Sequence, residues 1–289
     1  MNANIPGLHP MNKTPKHTDR NEAAQLCRPR AAEVHKGDMG HAALLAGSYG
    51  MLGAVMLSAR GCMRSGAGKL TVFAEPSGYP ILQGVLPEAV FQISEYKEWF
   101  SMVVSGHYDA LAYGPGIGLR FDNERLISTL FKCGKPLILD ADGLNQLAKA
   151  GQKLMSTIPP MTILTPHAAE YQRLFGLSTE PEEVSRRFGI ILVMKGKNTR
   201  VIGPDGGCFI NMSGNAGLAT AGSGDVLTGM ILGLLARGYD PLAAARLGVY
   251  LHGRAGDLAS ARFGEESMVA GDLPDLIGEA YKELTDIVK

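Results

Sequence analysis

The sequence predicts an α/β protein in which helices cover both faces of a central, mainly parallel sheet. The chain has 289 residues, 45% of them hydrophobic and 19% charged, so it is long enough to bury the core of one large domain. From His41 onward, strand-like runs alternate with helix-like stretches, as is typical of parallel sheets. Its 37 glycines are about 13% of the chain, against roughly 7% on average, and they cluster in short loops.

The alternation can be followed segment by segment. HAALLAG and KLTVFA are predicted strands around a small-residue helix, LGAVMLSARGCMRSG, and DALAYG is a further strand before the loop GPGIG. PLILDAD leads to the helix GLNQLAKAG, and TILTPH leads to AAEYQRLFG. GIILVMKG leads to a hairpin, TRVIGPDGGCFIN, whose PDGG is a turn signal.

The last third of the chain is predicted to be helical. One helix follows Asp225, because apolar residues recur at helical spacing: Val226, Leu227, Met230, Ile231, Leu234 and Leu235. Gly238 is the predicted C-terminal cap of this helix, and Asp240 and Pro241 favour the start of a second helix that runs to about Ala261. Residues 37–289 are therefore expected to form one domain. Residues 1–36 contain four prolines and no hydrophobic periodicity, which predicts an N-terminal arm that is partly disordered.

Charge and composition exclude several classes of function. Lys plus Arg and Asp plus Glu number 28 each, so no overall field attracts nucleic acid or an anionic membrane. No apolar run is long enough to span a bilayer, and residues 1–36 lack the apolar core of a signal peptide. Four widely spaced cysteines favour neither zinc nor a disulfide framework. These features predict a soluble, cytoplasmic protein.

The unusual residues follow the predicted strands, in the loops GSYG, GPGIG, DAD, TPHAAE, KGKNT and AGSGD. Ligands of open α/β sheets bind at the carboxyl ends of the strands. A ligand set that touches most of these loops would be a nucleotide together with a second substrate. Two phosphate-binding fingerprints fail, however. RSGAGKL has Met63 where a P-loop has its first glycine and Leu70 where it has Ser or Thr, and GPGIGL lacks the third glycine of a dinucleotide fingerprint.

AGSGD places one acid among small residues at a helix start. Gly222 and Gly224 let the backbone approach a ligand, and the N–H groups of the first helical turn form an anion site. Asp225 has two interpretations. It is either a favourable first-turn acid, worth about 0.3–1 kcal/mol, or a general base that takes a proton from an attacking hydroxyl.

AGSGD resembles the GxGD signature of ribokinase-like enzymes. A larger ordered set is similar to the ADP/ATP-dependent NAD(P)H-hydrate dehydratases of that superfamily, from His35 to Asp257. The set comprises HKGDMG, AGSYGMLGA, RSGAGKLTV, GPGIG, LDADGLN, LTPHAAE, VMKGKNT, GNAGLATAGSGDVLTG and YLHGRAGD. The chain departs from the family at four alanines that stand where Pro or Gly is usual: Ala168, Ala169, Ala216 and Ala221.

The resemblance implies a ribokinase-like fold and a lyase that repairs nicotinamide cofactor. In the family, ADP or ATP donates a phosphoryl group to the ring hydroxyl of (6S)-NAD(P)H hydrate, and phosphate then leaves to give NAD(P)H and AMP or ADP. Mg²⁺ is the implied cofactor, with ADP the expected co-substrate. The resemblance also implies a homo-oligomer, commonly a tetramer, and a functional link to a separate NAD(P)H-hydrate epimerase.

The resemblance also implies roles for individual residues. Asp225 would be the catalytic base and a substrate contact. The other expected substrate contacts are Ala54, Gly116, Gly118 and His167. The expected nucleotide contacts are Lys195, Gly196, Lys197, Asn198, Thr199, Gly222, Ser223 and Gly224.

The metal ligands are left open by the sequence. Asp140 and Asp142 are either a carboxylate pair for magnesium or, in part, a helix cap, and Glu170 is a further candidate. His252 and Asp257 are expected to hold the terminal helix rather than a ligand.

Two other classes of function compete with the dehydratase. A vitamin-precursor or sugar kinase of the same fold shares GxGD, but is expected to lack TPHxxE together with KGxxT. A catalytically silent nucleotide-binding module is expected to have lost the acid, which this chain retains as Asp225.

Overall fold

A computed structural model describes residues 14–119 and 124–288. Ten strands form one sheet in the order β1-β10-β9-β8-β7-β6-β5-β2-β3-β4. Only β9 runs antiparallel to its neighbours, β8 and β10, so the predicted mainly parallel sheet is confirmed. The strands are β1 (Lys16–Thr18), β2 (His41–Leu45), β3 (Lys69–Ala74), β4 (Val90–Ile93), β5 (Ala110–Tyr113), β6 (Leu137–Leu139), β7 (Ile163–Leu164), β8 (Ile191–Met194), β9 (Arg200–Ile202) and β10 (Cys208–Asn211).

The described residues also form α-helices, most of them between consecutive strands. They are α1 (Arg20–Leu26), α2 (Leu52–Arg64), α3 (Tyr79–Val85), α4 (Tyr96–Ser105), α5 (Glu124–Lys132), α6 (Asp142–Ala150), α7 (Gln152–Met155), α8 (Ala168–Phe175), α9 (Pro181–Phe188), α10 (Ser223–Ala236), α11 (Pro241–Phe263) and α12 (Leu273–Val288). No helix of the described residues is both long and apolar enough to cross a membrane.

The sheet separates two apolar cores. Successive residues of a strand point to opposite faces, and in β2 Leu44 belongs to one core while Leu45 belongs to the other. Helices α1, α2, α3, α10, α11 and α12 contribute to the first core, and α4 to α9 contribute to the second. The prediction of helices on both faces is therefore confirmed.

Helix α10 packs against α2 at very close range. A Cβ atom on Gly229 would lie 1.8 Å from the backbone oxygen of Ser58, and one on Gly233 would lie 2.5 Å from that of Cys62. Only glycine allows the two backbones to approach so closely. This contact fixes the axis of α10, and with it the position of Asp225 in its first turn.

The hairpin and the second long helix also agree with the sequence. Gly203 N–H donates to the carbonyl of Gly207 across the PDGG turn, which joins β9 to β10. The side chain of Asp240 accepts hydrogen bonds from two backbone N–H groups at the start of α11, and this helix ends at Phe263, two residues after the expected position.

The segment expected to be an arm lies partly outside the described residues, which begin at residue 14. Its described part contributes an edge strand and a helix. β1 pairs in parallel with β10, and Ala23 and Ala24 of α1 are buried in the first core. The local pattern gave no sign of this, because both elements are short and their partners lie far away in the sequence. A domain boundary at residue 36 stays a prediction.

Candidate active site

The expected loops meet at one edge of the sheet. Strands β8, β7, β6, β5 and β2 are consecutive neighbours in the sheet and all run in the same direction. The segments after them are KGKNT, TPH, DAD, GPGIG and AGSYG, respectively. Five of the six predicted loops therefore lie side by side, and the sixth, AGSGD, begins α10.

The start of α10 has no side-chain cap. Gly222 occupies the N-cap position with a φ of 91°, a backbone conformation that favours glycine, and has no side chain to bond the first N–H groups. Helix N-termini carry partial positive charge and bind anions through these N–H groups. Asp225 lies in this first turn and is half-buried.

Lys195 brings a cation to the same turn. A Cβ atom on Gly224 would lie 3.4 Å from Nζ of Lys195. The amine donates a hydrogen bond of 2.8 Å to Oδ1 of Asp140 and lies 3.8 Å from Oε2 of Glu170. These two carboxylates raise the pKa of Lys195 against the opposing effect of burial, so the amine stays charged. An anion at the start of α10 would meet both this ammonium group and the helix N-terminus.

Asp140 is buried beneath this lysine. Its side chain is 1% exposed, and Thr228 of α10 donates a hydrogen bond of 2.6 Å to Oδ2. Burial alone would raise the pKa of a carboxyl group, but Lys195, Thr228 and Thr165 together hold the pKa of Asp140 below its ordinary value. Asp140 is therefore ionised and bonded through both oxygens.

Asp225 differs from Asp140 in having no cation bonded directly to it among the described contacts. Burial, followed by the charge of Asp140, raises its pKa to about 7, although Lys195 acts in the opposite direction. A carboxylate with a pKa near the working pH is well suited to accept a proton from a hydroxyl group. The raised pKa suits the general-base interpretation, and the role of Asp225 stays a prediction.

The GPGIG loop is held by α6 and packs against α2. Oδ2 of Asp142 accepts a hydrogen bond from Gly118 N–H at 2.9 Å, and Nε2 of Gln146 donates to the Gly118 carbonyl at 2.8 Å. Gly116 has a φ of 59°, and a Cβ atom on it would lie 2.8 Å from the Cβ of Ala54. The structure therefore brings together the three small residues expected to contact substrate.

His167 begins α8 and forms a capping box. Its Nδ1 accepts from the N–H groups of Ala169 and Glu170, and Oε2 of Glu170 accepts from the His167 N–H at 2.8 Å. The imidazole side chain is 50% exposed and lies 3.5 Å from Oε1 of Glu170. His167 therefore has a local structural role while its ring remains accessible from this edge of the sheet. The expected contact with substrate stays a prediction.

The KGKNT loop is anchored at both ends. Lys195 N–H donates to the carbonyl of Pro166 at 2.9 Å, and the carbonyl of Thr199 accepts from Asn211 N–H at 3.0 Å. The residues between these anchors are exposed: Gly196, Lys197 and Asn198. An exposed loop next to the Lys195 amine has a suitable position for nucleotide contacts, which remain a prediction.

Hydrogen bonds from α11 hold Ser223 at the start of α10. Nε2 of His252 lies 3.1 Å from the Ser223 hydroxyl and 2.9 Å from its carbonyl oxygen. Asp257, further along α11, accepts hydrogen bonds from Gly214 and Asn215 in the segment that leads into AGSGD. These contacts agree with the structural role expected for His252 and Asp257.

Sequence reasoning missed Thr228, Gln146 and Ser48. Each of these side chains holds another residue of the candidate site. Ser48 donates to the carbonyl of Gly116, Gln146 donates to the carbonyl of Gly118, and Thr228 donates to Asp140. The sequence contains a signal for Thr228, because this threonine is the single hydroxyl residue in the apolar stretch VLTGMILGLLA. A polar group in a fully buried helix needs a bonding partner, but the sequence does not say which one.

The hypothesis of a carboxylate pair for magnesium is not supported by the geometry. Asp140 bonds Lys195 and Thr228, while Asp142 bonds Gly118, so the two carboxylates have separate partners. Nor does either side chain cap α6, whose N-cap residue is Ala141. Within the described ranges, no group of three or more His, Cys, Asp or Glu residues could hold a metal ion. A magnesium ion here would depend mainly on oxygens supplied by phosphates and water, as is common for this ion.

The sheet order and the glycine-rich start of α10 define the class of this protein as a ribokinase-like α/β fold. A family model described as NAD(P)H-hydrate dehydratase matches residues 42–279. The chain belongs to this NAD(P)H-hydrate dehydratase family.

Individual relatives agree with this assignment. The ADP-dependent (S)-NAD(P)H-hydrate dehydratase of Bacillus subtilis is 34% identical over 262 residues, which cover 88% of this chain and 93% of that protein. A bifunctional NAD(P)H-hydrate repair enzyme of Thermofilum pendens is 36% identical over 277 residues, covering 89% of this chain and 53% of the relative. The chain thus spans about half the length of such bifunctional relatives.

A solved structure extends the similarity to three dimensions. The crystal structure of the ADP/ATP-dependent NAD(P)H-hydrate dehydratase from Bacillus subtilis, co-crystallised with ATP and Mg²⁺, matches with a TM-score of 0.83 at 33% identity. The match covers 95% of this chain and 99% of that one.

Proposed function

We propose that this protein is a lyase that restores hydrated NADH and NADPH, the (6S)-NAD(P)H hydrates, in a reaction driven by ADP or ATP. The observation that carries the proposal is the position of Asp225. This acid lies at the uncapped start of α10, next to the Lys195 amine, in a chain of the NAD(P)H-hydrate dehydratase family.

The first chemical step is transfer of a phosphoryl group to the ring hydroxyl of the hydrate. Asp225 accepts the hydroxyl proton, a new oxygen–phosphorus bond forms, and the bond between the terminal phosphate and the nucleotide breaks. The charge that develops on the phosphoryl oxygens is stabilised by the N–H groups around Gly222, Ser223 and Gly224 and by Lys195. AMP leaves when the donor is ADP, and ADP leaves when it is ATP.

The second step is elimination of phosphate. The carbon–oxygen bond breaks with phosphate as the leaving group, and loss of a proton from the neighbouring ring carbon restores the double bond of the reduced nicotinamide. Phosphate leaves far more readily than hydroxide. A kinase-like fold is therefore suited to a dehydration.

The two substrates are assigned to neighbouring parts of the site. The hydrate lies against Ala54, Gly116, Gly118 and His167. The nucleotide lies against Gly196, Lys197, Asn198 and Thr199, with its terminal phosphate at Lys195 and α10. ADP is the proposed donor, which the name of the Bacillus subtilis relative supports. Mg²⁺ would arrive with the nucleotide and screen its phosphate charges.

The test is recovery of reduced nicotinamide from chemically prepared hydrated NADH. The purified protein is mixed with hydrate and Mg²⁺, together with ADP, ATP or no nucleotide, and the near-ultraviolet absorbance of the dihydronicotinamide ring is followed. We expect recovery only when a nucleotide is present, faster with ADP than with ATP, and none with the Asp225→Ala variant. If neither nucleotide supports recovery although both bind, the proposal is wrong, and a small-molecule kinase of this fold becomes the better hypothesis.

We propose a cytoplasmic setting and a homo-oligomeric assembly for the enzyme. The free thiols of Cys27, Cys62, Cys133 and Cys208 favour a reducing compartment, the cytoplasm.

A homo-oligomer, expected to be a tetramer, would cover the apolar side chains exposed near the β4 edge of the sheet, which are Tyr79, Ile81, Val85 and Val90. Light scattering on the purified protein measures this assembly. The bifunctional repair enzymes support a functional link to a second repair step, and we propose an NAD(P)H-hydrate epimerase for it.

A further inference from the structure

The segment Asp140-Ala141-Asp142 has an unusual backbone. Ala141 has a φ of 48° and a ψ of −117°, and it is one of two non-glycine residues with positive φ in the described part of the chain. L-residues rarely adopt this conformation, and it often occurs at functional sites. The turn lies between the end of β6 and the start of α6, and it gives the two carboxylates different partners.

The first carboxylate points to the nucleotide side. Asp140 bonds Nζ of Lys195 at 2.8 Å and the hydroxyl of Thr228 at 2.6 Å. Thr228 lies one turn after Asp225 in α10, and the lysine amine lies beside Gly224. Asp140 thus connects the lysine to the helix whose N-terminus would receive the phosphate.

The second carboxylate points to the substrate side. Asp142 accepts from Gly118 N–H at 2.9 Å, and Gln146 donates to the carbonyl of the same glycine at 2.8 Å. The N–H and the carbonyl of Gly118 are therefore both bonded to side chains of α6. The same loop contains Gly116, which packs against Ala54.

We infer that Asp140 and Asp142 are positioning residues for two different ligands, the adenine nucleotide and the nicotinamide hydrate. Asp140 holds Lys195 for the nucleotide phosphate, and Asp142 holds the GPGIG loop for the hydrate. The turn at Ala141 gives the two carboxylates their different partners. This inference rests on the proposed function, since it takes the two ligands from there.

The test compares Asp140→Asn with Asp142→Asn, two isosteric changes that are separated by one residue and serve as controls for each other. Dissociation constants for a non-hydrolysable ADP analogue and for hydrated NADH are measured by calorimetry on the full chain. We expect Asp140→Asn to weaken nucleotide binding by about tenfold or more with little effect on the hydrate, and Asp142→Asn to do the reverse. Equal weakening of both ligands by each variant, or no weakening by either, overturns the inference.

Thr228→Val provides a second variant for the Asp140 arm in case Asp140→Asn does not fold. It removes the hydroxyl that bonds Oδ2 of Asp140 but leaves the bond to Lys195, so a smaller loss confined to the nucleotide is expected. A loss of hydrate binding instead would contradict the Asp140 assignment. Because both readouts measure binding, they remain informative if wild-type protein fails to restore NADH, a result that would count against the proposed function.

Discussion

The Nε2 atom of His252 lies 2.9 Å from the carbonyl oxygen of Ser223 and 3.1 Å from its hydroxyl oxygen. This contact holds the first residue of α10 from its buried side. Burial is the main reason that the pKa of His252 is lowered to about 4, so the ring is neutral in the folded protein.

The neutral imidazole predicts a loss of stability in mild acid. A histidine that ionises near pH 6.5 when unfolded but near pH 4 when folded stabilises the fold above pH 6.5, and this contribution disappears as the pH falls towards 4. We expect the free energy of unfolding to fall by on the order of 3 kcal/mol over this range. Urea unfolding at several pH values measures it. His252→Gln should flatten the dependence, whereas the change His35→Gln at an exposed position should leave it intact.

Replacing Asp225 is predicted to lower the activity of the protein but to raise its stability. Asp225→Asn removes the proposed base, so turnover should fall by about 100-fold or more while nucleotide binding remains measurable. Because burial raises its pKa to about 7, ionising this carboxylate destabilises the fold as the pH rises from about 4 to 7. The variant should therefore unfold at a higher temperature than wild type at pH 8.

The wild-type rate gives an independent check on the same group. If Asp225 must be ionised to act, the rate should fall as the pH is lowered through about 7. A rate that does not change across this pH would argue against the role of Asp225 as base.

Lys195 and Asp140 are predicted to be coupled. Lys195→Met leaves a buried, ionised Asp140 without its cation, and should lower the free energy of unfolding by about 3 kcal/mol. Adding Asp140→Asn removes the unpaired charge and should restore most of this stability, but not nucleotide affinity. Chemical unfolding and calorimetry on the two single variants and the double variant form the required cycle. Additive losses of stability would show that the ion pair is not coupled.

Gly116 is predicted to determine binding of the hydrate. In Gly116→Ala the new Cβ would lie 2.8 Å from the Cβ of Ala54 and 2.9 Å from the carbonyl of Met51, so the loop must move. We expect KM for the hydrate to rise by about tenfold with nucleotide KM unchanged. Gly134→Ala is the matched control. Gly134 also has a positive φ, 63°, but has open space around it, so its substitution should affect stability alone.

Much of the fold follows from local pattern. The alternation of strand-like and helix-like runs predicted the parallel sheet, because the two periodicities are properties of neighbouring residues. Glycine and polar signals located the loops, and their position after strands placed them at one edge of the sheet. The GxGD segment and the ordered motifs also indicated the family and the acid at the start of α10.

The hydrogen-bond partner of each polar side chain depends on the tertiary structure. Asp140 and Asp142 are equivalent in the sequence, yet Asp140 meets a lysine 55 residues away and Asp142 meets the GPGIG loop. The pairing of β1 with β10 likewise joins residues that are far apart in the chain. Periodicity describes the face that a residue presents, but a hydrogen bond depends on which distant segment packs there. Local pattern therefore predicts the sheet, the loops and the position of the acid, whereas long-range packing sets the partners of Lys195, Asp140 and Gly118.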